Sequence, residues 1–117
     1  AKTASFVENN KEALITLKRN LNNLKIEKQS EIFNEKTISF CSKANLKDKF
    51  EIIFFDPPFA ESFFLNELKT IKNSTNYKKK HLVVIHREAK SKDDLDKIIN
   101  VLLTKKYGRS RVIFGTF

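Results

Sequence analysis

Residues 51–59 read EIIFFDPPF, and this stretch decides the fold class of the 117-residue chain. Its four consecutive apolar residues, Ile52 to Phe55, are typical of a strand that is buried on both faces of a parallel sheet. Pro57 and Pro58 end that strand, because proline has no N–H to donate to a sheet ladder. The stretch therefore predicts a buried strand that runs directly into a polar loop.

The segments on either side alternate between strand and helix patterns. Leucines at positions 14, 17, 21 and 24 recur at helical spacing behind an Asn9 or Asn10 cap, and a second helix is predicted over 63–71. A third helix is predicted over 91–102, where a capping-box pattern precedes an amphipathic run. Residues 38–42 are predicted to form a short helical turn, and 73–80 a polar loop. The predicted strands are 5–8, 31–34, 51–56, 81–86, 105–107 and 111–117.

This order of segments predicts a fold class. Strands that alternate with helices indicate an α/β domain with a mostly parallel sheet. The last two strands are joined around Gly108, and a connection that short favours a C-terminal antiparallel hairpin. We expect residues 1–117 to form one domain.

The composition excludes some classes of protein and indicates what kind of partner the chain could bind. Hydrophobic residues make up 40% of the chain, and no apolar run is long enough to cross a membrane. The single cysteine, Cys41, excludes an internal disulfide and fits the cytoplasm, and together with two histidines it offers no paired zinc ligands. The net charge is +9, and from Tyr77 onward 11 Lys and Arg stand against 4 Asp and Glu. This basic half favours a polyanionic partner, although a lysine-rich solvated surface gives the same pattern.

The segment Asp56-Pro57-Pro58-Phe59 contains the residues best suited to chemistry. It follows the most buried strand, and open α/β sheets bind ligands at the carboxyl ends of their strands. The two prolines leave carbonyl oxygens and the Asp56 carboxylate as acceptors, and Phe59 offers a flat stacking surface. Such a set suits an exocyclic amino group on a base that has been flipped out of its stack. The alternative is a strand-ending turn with Phe59 in the core.

Asp-Pro-Pro-Phe resembles motif IV of the amino-group methyltransferases, which methylate exocyclic nitrogens of adenine, cytosine or guanine. The order of SFVE at 5–8, NLNNL at 20–24, EIFN at 31–34 and KYG at 106–108 is similar to the RsmD family of bacterial 16S ribosomal RNA (guanine-N2) methyltransferases. The resemblance spans essentially the whole chain. It implies a Rossmann-like class I fold, S-adenosylmethionine as the methyl donor, no metal, and Asp56, Pro57, Pro58 and Phe59 as the catalytic segment. The implied partner is 16S ribosomal RNA, alone or within the small ribosomal subunit, and we expect a monomer.

The same resemblance implies a set of cofactor-binding residues. Glu8, with Asn9 beside it, would bind the ribose of S-adenosylmethionine, since it ends a strand at a nucleoside pocket. Lys36 lies near the position where many relatives place an acidic or amide residue toward the adenine. A lysine cannot accept a hydrogen bond from the adenine amine, so a neighbour such as Thr37 or a backbone group is expected to do so.

The glycines depart from the family pattern, because the chain contains only Gly108 and Gly115. Enzymes of this class hold the methionine end of the cofactor with a Gly-rich loop after the first strand, where only glycine lets the backbone come that close. We therefore expect the first strand and its loop to be missing from this sequence. The consequences would be a gap in the sheet and, for these residues alone, weak binding of S-adenosylmethionine and no activity.

Basic residues are the candidate contacts to RNA phosphates. They are Lys78, Lys79, Lys80, Arg87, Arg109 and Arg111. His86-Arg87 is predicted to end a strand at the same edge as Asp56, near the RNA backbone, and the alternative for His86 is an ordinary loop histidine. The alternative for the basic side chains is solvated loop and hairpin charge. Two other functions stay open: a DNA amino-group methyltransferase, whose target-recognition insertion this chain has no room for, and a non-catalytic RNA-binding module.

Overall fold

Six strands and three α-helices make up the part of the chain that the computed structural model describes, residues 1–44, 46–58 and 63–117. They fall into two compact units, Ala1–Cys41 and Ser42–Phe117. Within the described ranges the strands form two sheets, one of two strands and one of four. The predicted α/β class is confirmed.

The first unit contains two parallel strands and two helices. β1 (Ala4–Val7) pairs in parallel with β2 (Ser30–Phe33). α1 (Lys11–Asn23) and a 3-10 turn at Glu27–Gln29 connect them, and α2 (Thr37–Cys41) follows β2. The two strands and the two α-helices each begin within one or two residues of their predicted positions, whereas the 3-10 turn was not predicted.

The start of α1 is explained by its cap. The side-chain oxygen of Asn10 accepts a hydrogen bond from the backbone N–H of Ala13 at 2.9 Å, which satisfies one of the otherwise unpaired donors of the first turn. Glu12 in that turn complements the helix dipole. Leu14 and Leu21, two of the predicted leucines, are the buried residues of the helix.

The second unit is a four-stranded sheet with one helix. Its strands are β3 (Phe50–Phe55), β4 (Tyr77–Glu88), β5 (Asn100–Tyr107) and β6 (Ser110–Thr116), and its helix is α3 (Phe64–Ser74). The order across the sheet is β3-β4-β6-β5. β3 and β4 are parallel, whereas β6 is antiparallel to both of its neighbours. The sheet is therefore mixed, with the predicted hairpin at one edge.

Burial separates the two faces of this sheet. The buried side chains are Ile53, Phe55, Val83, Ile85 and Ile113 on the strands and Phe64, Leu68 and Ile71 on α3. Successive residues of a strand point to opposite faces, and Ile52 and Phe54 are 65% and 61% exposed on the face opposite to Ile53 and Phe55. The prediction that this strand is buried on both faces is therefore wrong for the described residues. The same alternation decides which face the residues at the strand ends occupy, and this positions the site described below.

The predicted polar loop over 73–80 is wrong in its second half, because β4 begins at Tyr77. The three lysines that follow are exposed, and their polarity suggested a loop. The backbone is nevertheless paired, with Tyr77 opposite Phe50 in the ladder. The Tyr77 ring also packs against those of His81 and Phe117, at centroid distances of 4.6 and 4.8 Å. These contacts hold the polar segment as a strand.

The predicted helix over 91–102 does not form. Residues 91–95 have no regular secondary structure, 96–98 form a turn, and β5 starts at Asn100. Leu95, Ile98 and Ile99 are buried, as their apolar character predicted, but Leu102 lies exposed in β5. Pairing of β5 with β6 along its whole length outweighs the local helical pattern, because a ladder satisfies backbone groups that a short helix leaves unpaired at its ends.

The hairpin between β5 and β6 depends on both glycines of the chain. Gly108 has φ of +57°, the left-handed conformation that a two-residue hairpin loop needs and that glycine adopts without strain. At Gly115 an added Cβ would come within 2.6 Å of the Asn100 carbonyl oxygen, so the strands approach closely there. The hairpin is confirmed and is longer than predicted.

Three compositional features have a place in this fold. Cys41 is buried at the end of α2. None of the helices in the described ranges is both long and apolar enough to span a membrane. Among the same residues, no group of three or more His, Cys, Asp or Glu side chains is arranged to hold a metal ion.

Candidate active site

Asp56 directly follows β3, and His86 lies near the end of the parallel neighbour β4, at the same edge of the four-stranded sheet. The last pair in the ladder between β3 and β4 is Phe55 with Ile85, so the next residues along the two strands are Asp56 and His86. Their side chains lie on the face opposite to the buried Phe55, because successive residues alternate. This carboxyl edge is where open α/β sheets bind ligands.

A hydrogen bond joins Asp56 to His86, with 2.9 Å between Oδ1 and Nδ1. Because an ionised carboxylate can only accept, Nδ1 of His86 carries the hydrogen. The side chains of Asp56 and His86 are 59% and 29% exposed. The contact therefore orients the carboxylate and leaves much of it open to a substrate.

Pro58, the second of the two prolines after Asp56, is contacted by another side chain of β4. Nη1 of Arg87 donates to the carbonyl oxygen of Pro58 at 2.9 Å. Pro57 is half-buried and Pro58 is exposed. Phe59, the fourth predicted catalytic residue, lies outside the described residues, so the structure describes three residues of the predicted amine pocket.

Arg87 is buried in an ion pair. Its Nε donates to Oδ2 of Asp93 at 2.8 Å, and its Nη2 donates to Oδ1 at 3.3 Å. The guanidinium carbon lies 4.4 Å from the centre of the Phe64 ring. Arg87 is only 2% exposed. Burial of this degree does not suit the predicted contact of Arg87 with an RNA phosphate, because its donors face the protein.

The other two predicted RNA-binding arginines belong to β6 and its hairpin. Nη2 of Arg111 donates to Ser91 Oγ at 3.0 Å and lies 3.8 Å from Oδ2 of Asp93. Arg111 therefore shares the Asp93 carboxylate with Arg87. Arg109 is exposed in the hairpin turn. That turn lies at the Asp56 edge, because β6 runs antiparallel to β4 and its first residue pairs with the last residue of β4. Arg109 is thus an exposed cation at the edge where chemistry is predicted.

The three predicted RNA-binding lysines, Lys78 to Lys80, lie at the opposite edge of the sheet. They begin β4, whereas His86 is near its end. At about 3.3 Å per residue, roughly 20 Å separates Lys79 from His86. Nζ of Lys78 also forms an exposed ion pair with Glu51 at 3.1 Å.

The predicted cofactor-binding residues lie at one edge of the two-stranded sheet. Glu8 and Asn9 follow β1, while Lys36 and Thr37 follow the parallel β2. Oε1 of Glu8 accepts hydrogen bonds from the backbone N–H groups of Asn9 and Asn10, at 3.1 and 3.0 Å. The carboxylate is therefore held at the strand end, and Lys36 is exposed beside Thr37, the first residue of α2.

Sequence reasoning missed two features of the site. One is the hydrogen bond between His86 and Asp56, although both residues were predicted at the same edge of the sheet. An available signal for it was that the apolar runs Ile52–Phe55 and Leu82–Ile85 have equal length, so that aligning them puts the next residues side by side. The other is Asp93, the partner of Arg87. It had no such signal, because the sequence pattern assigned its segment to a helix.

Comparison with known proteins gives matches to methylases. The family model described as Conserved hypothetical protein 95 matches residues 1–116. A Haemophilus influenzae protein named ribosomal RNA small subunit methyltransferase D is 35% identical over 60 residues, which are 50% of this chain and 31% of that protein. An uncharacterized methylase of Rickettsia prowazekii is 33% identical over 76 residues, which are 63% of this chain and 30% of that protein. The matched segments thus span less than a third of either relative.

The likeness in fold extends over almost the whole chain. The crystal structure of a candidate methylase from Haemophilus influenzae superposes with a TM-score of 0.83 at 22% identity, covering 99% of this chain and 73% of that one. At this identity the superposition shows the fold alone, and it confirms the predicted Rossmann-like methyltransferase fold. By the match over residues 1–116, the chain belongs to the family described as Conserved hypothetical protein 95, the RsmD family.

Proposed function

We propose that the protein transfers a methyl group from S-adenosylmethionine to the exocyclic N2 amino group of a guanine in 16S ribosomal RNA. The family match and the name of the Haemophilus influenzae relative support the enzyme class and the RNA substrate. The observation that carries the proposal is the Asp56 carboxylate, oriented by His86 at 2.9 Å at the carboxyl edge of β3. A carboxylate that is held in place directly before two prolines in the sequence offers the hydrogen-bond acceptors that an amine substrate requires.

The proposed chemistry uses acceptors that are in place before the substrate binds. The Asp56 carboxylate and the Pro57 carbonyl accept the N–H groups of the amine and align the nitrogen lone pair with the methyl carbon. A nitrogen–carbon bond forms, the carbon–sulfur bond of the donor breaks with its electron pair left on sulfur, and the proton that the nitrogen loses passes to water. Preoriented acceptors stabilise the positive charge that develops on nitrogen without reorganising. Phe59 is proposed to stack on the base.

The first unit is proposed to bind the adenosine part of the methyl donor. The Glu8 carboxylate is the natural acceptor for the two ribose hydroxyls, and its fit rests on the two backbone N–H groups that hold its Oε1 in place. Asn9 adds an amide beside it. Lys36 and Thr37 follow the adjacent strand, where the adenine would lie, and Thr37 offers a hydroxyl that can accept as well as donate.

RNA is proposed to contact cations at both edges of the sheet. Arg109 lies at the Asp56 edge and would contact a phosphate next to the methylated nucleotide. Lys78, Lys79 and Lys80 lie about 20 Å away along β4 and would contact phosphates several nucleotides distant. We further propose that the enzyme acts as a monomer in the cytoplasm, on 16S RNA that is free or within the small subunit.

This arrangement predicts different effects on short and long RNA. Arg109→Ala is expected to weaken binding of both, and to reduce the slope of log K against log salt by about 1, because one phosphate contact is lost. Lys79→Ala is expected to weaken binding only of an RNA long enough to reach the far edge. Fluorescence anisotropy with two nested RNAs, at several salt concentrations, measures both effects. Equal losses of affinity for the short RNA in Arg109→Ala and Lys79→Ala would contradict the proposal that the two residues contact phosphates far apart on the RNA.

The proposed activity is tested by supplying the complete protein with S-adenosylmethionine that carries a labelled methyl group. The acceptors to compare are unmodified small-subunit RNA, assembled small subunits and double-stranded DNA. We expect label in the RNA or in the subunit and none in the DNA. Label in DNA would favour a DNA amino-group methyltransferase, and RNA binding without label in any acceptor would favour a non-catalytic RNA-binding module.

A further inference from the structure

The dipeptide His86-Arg87 contacts the Asp56-Pro57-Pro58 segment from both faces of the sheet. Nδ1 of His86 lies 2.9 Å from Oδ1 of Asp56, and Nη1 of Arg87 lies 2.9 Å from the carbonyl oxygen of Pro58. Adjacent residues of a strand point to opposite faces, so one pair of neighbours reaches two separate points of the segment. We propose that Arg87 is a positioning residue, which acts through Pro58 to hold the amine-accepting groups of this segment in place.

The segment needs a hydrogen-bond donor from another part of the chain. Pro57 and Pro58 carry no N–H, so neither can donate the backbone hydrogen bond that closes most turns. Its backbone at these positions offers only acceptors. The Arg87 guanidinium supplies a donor from β4, and it presents its N–H groups in a rigid planar fork.

Arg87 is itself fixed by Asp93. The two hydrogen bonds to the Asp93 carboxylate, at 2.8 and 3.3 Å, set the plane of the guanidinium. Phe64, the first residue of α3, lies 4.4 Å from the guanidinium carbon, within cation–π range. The side chains of Arg87 and Asp93 are 3% and 7% exposed, so water screens their attraction little. A fixed guanidinium gives the Pro58 carbonyl a fixed partner.

The contact between Arg87 and Pro58 can be measured without any assay of activity. The chain has two prolines, and both lie in the segment, so proline labelled with ¹³C at the carbonyl gives two NMR signals that report on it. Arg87→Lys keeps the charge and loses the fork. We expect this variant to shift the Pro58 signal, and Arg19→Lys, on the exposed surface of α1, to leave both signals in place. An unchanged Pro58 signal in folded Arg87→Lys would overturn the contact.

The effect on catalysis rests on the proposed function and is measured on the complete protein. We expect Arg87→Lys to lower kcat about tenfold, because small misplacement of reacting groups slows the chemical step. The KM for S-adenosylmethionine should stay within about threefold, because the donor is bound by other residues. If Arg87→Lys fails to fold, Asp93→Asn keeps Arg87 and removes the charge that orients it, and a fall in kcat at constant KM is expected again.

These outcomes separate the two hypotheses. A loss of folded protein would lower kcat only in proportion to the native fraction, which thermal unfolding of each variant measures independently. An unchanged kcat, or a rise in KM alone, would overturn the positioning role. Wild-type protein that transfers no methyl group would instead contradict the proposed function, and the proline signals would still decide whether Arg87 holds Pro58.

Discussion

Replacement of Asp56 by alanine is expected to lower the rate of methyl transfer by at least about a hundredfold, the loss typical of one preoriented group that stabilises a transition state. The carboxylate lies at the carboxyl end of β3, is held by His86, and is largely exposed to a substrate. Binding of S-adenosylmethionine should change by less than about threefold, because the proposed donor-binding residues belong to another sheet. Single-turnover kinetics and calorimetric titration of the complete protein measure the two quantities.

The matched control is Asp96→Ala, which removes an equally charged, exposed carboxylate from the turns before β5. It should leave the rate unchanged. A rate of methyl transfer for Asp56→Ala within about threefold of wild type would show that Asp56 has no part in the mechanism. Loss of a group that stabilises the transition state would lower the rate by more than that. Equal losses of rate in Asp56→Ala and Asp96→Ala would indicate a general effect of removing a negative charge.

Leu68→Ala is expected to lower the free energy of unfolding of the second unit by about 2–5 kcal/mol, the usual cost of removing a fully buried leucine. Leu68 is 0% exposed in the middle of α3, where it contributes to the core beneath the sheet. Part of the loss comes from transfer of the side chain and part from the cavity that it leaves. Equilibrium unfolding in urea measures the change in free energy.

The control for this prediction is Leu102→Ala. Leu102 is the same residue type, but it is 65% exposed in β5. Its replacement should change the free energy of unfolding by less than about 0.5 kcal/mol, as is usual for exposed positions. A cost for Leu68→Ala no greater than that for Leu102→Ala would show that α3 does not bury this face.

Strands with continuous apolar runs were predictable from the sequence, and those stabilised by distant pairing were not. Ile52–Phe55 and Leu82–Ile85 became parallel neighbours as their composition indicated. Leu95, Ile98 and Ile99 have helical spacing, yet they are buried in an irregular segment. Periodicity alone cannot distinguish a helix from an irregular segment that buries the same side chains, and the start of β5 as early as Asn100 leaves no local signal.

The motif of the site was predictable, whereas its supporting contacts were not. Asp56 lies at the expected edge because the apolar strand ends directly before it and the two prolines after it prevent the strand from continuing. Arg87 was assigned to RNA because the sequence places it at the end of a strand, at the same edge as Asp56. The burial of Arg87 depends on its ion pair with Asp93, which lies in an irregular segment that the sequence pattern assigned to a helix.

The most direct test of the central claim is the identity of the methylated nucleoside. Small-subunit RNA from cells that lack the gene would be treated with the complete protein and S-adenosylmethionine, digested to nucleosides, and resolved by liquid chromatography and mass spectrometry. An acceptor pocket for an exocyclic amine, as proposed around Asp56, predicts N2-methylguanosine that is absent when Asp56→Ala replaces wild type. A methyl group on a ribose oxygen, on a ring nitrogen or on carbon would contradict the account, because none of these atoms presents an amine to the Asp56 carboxylate.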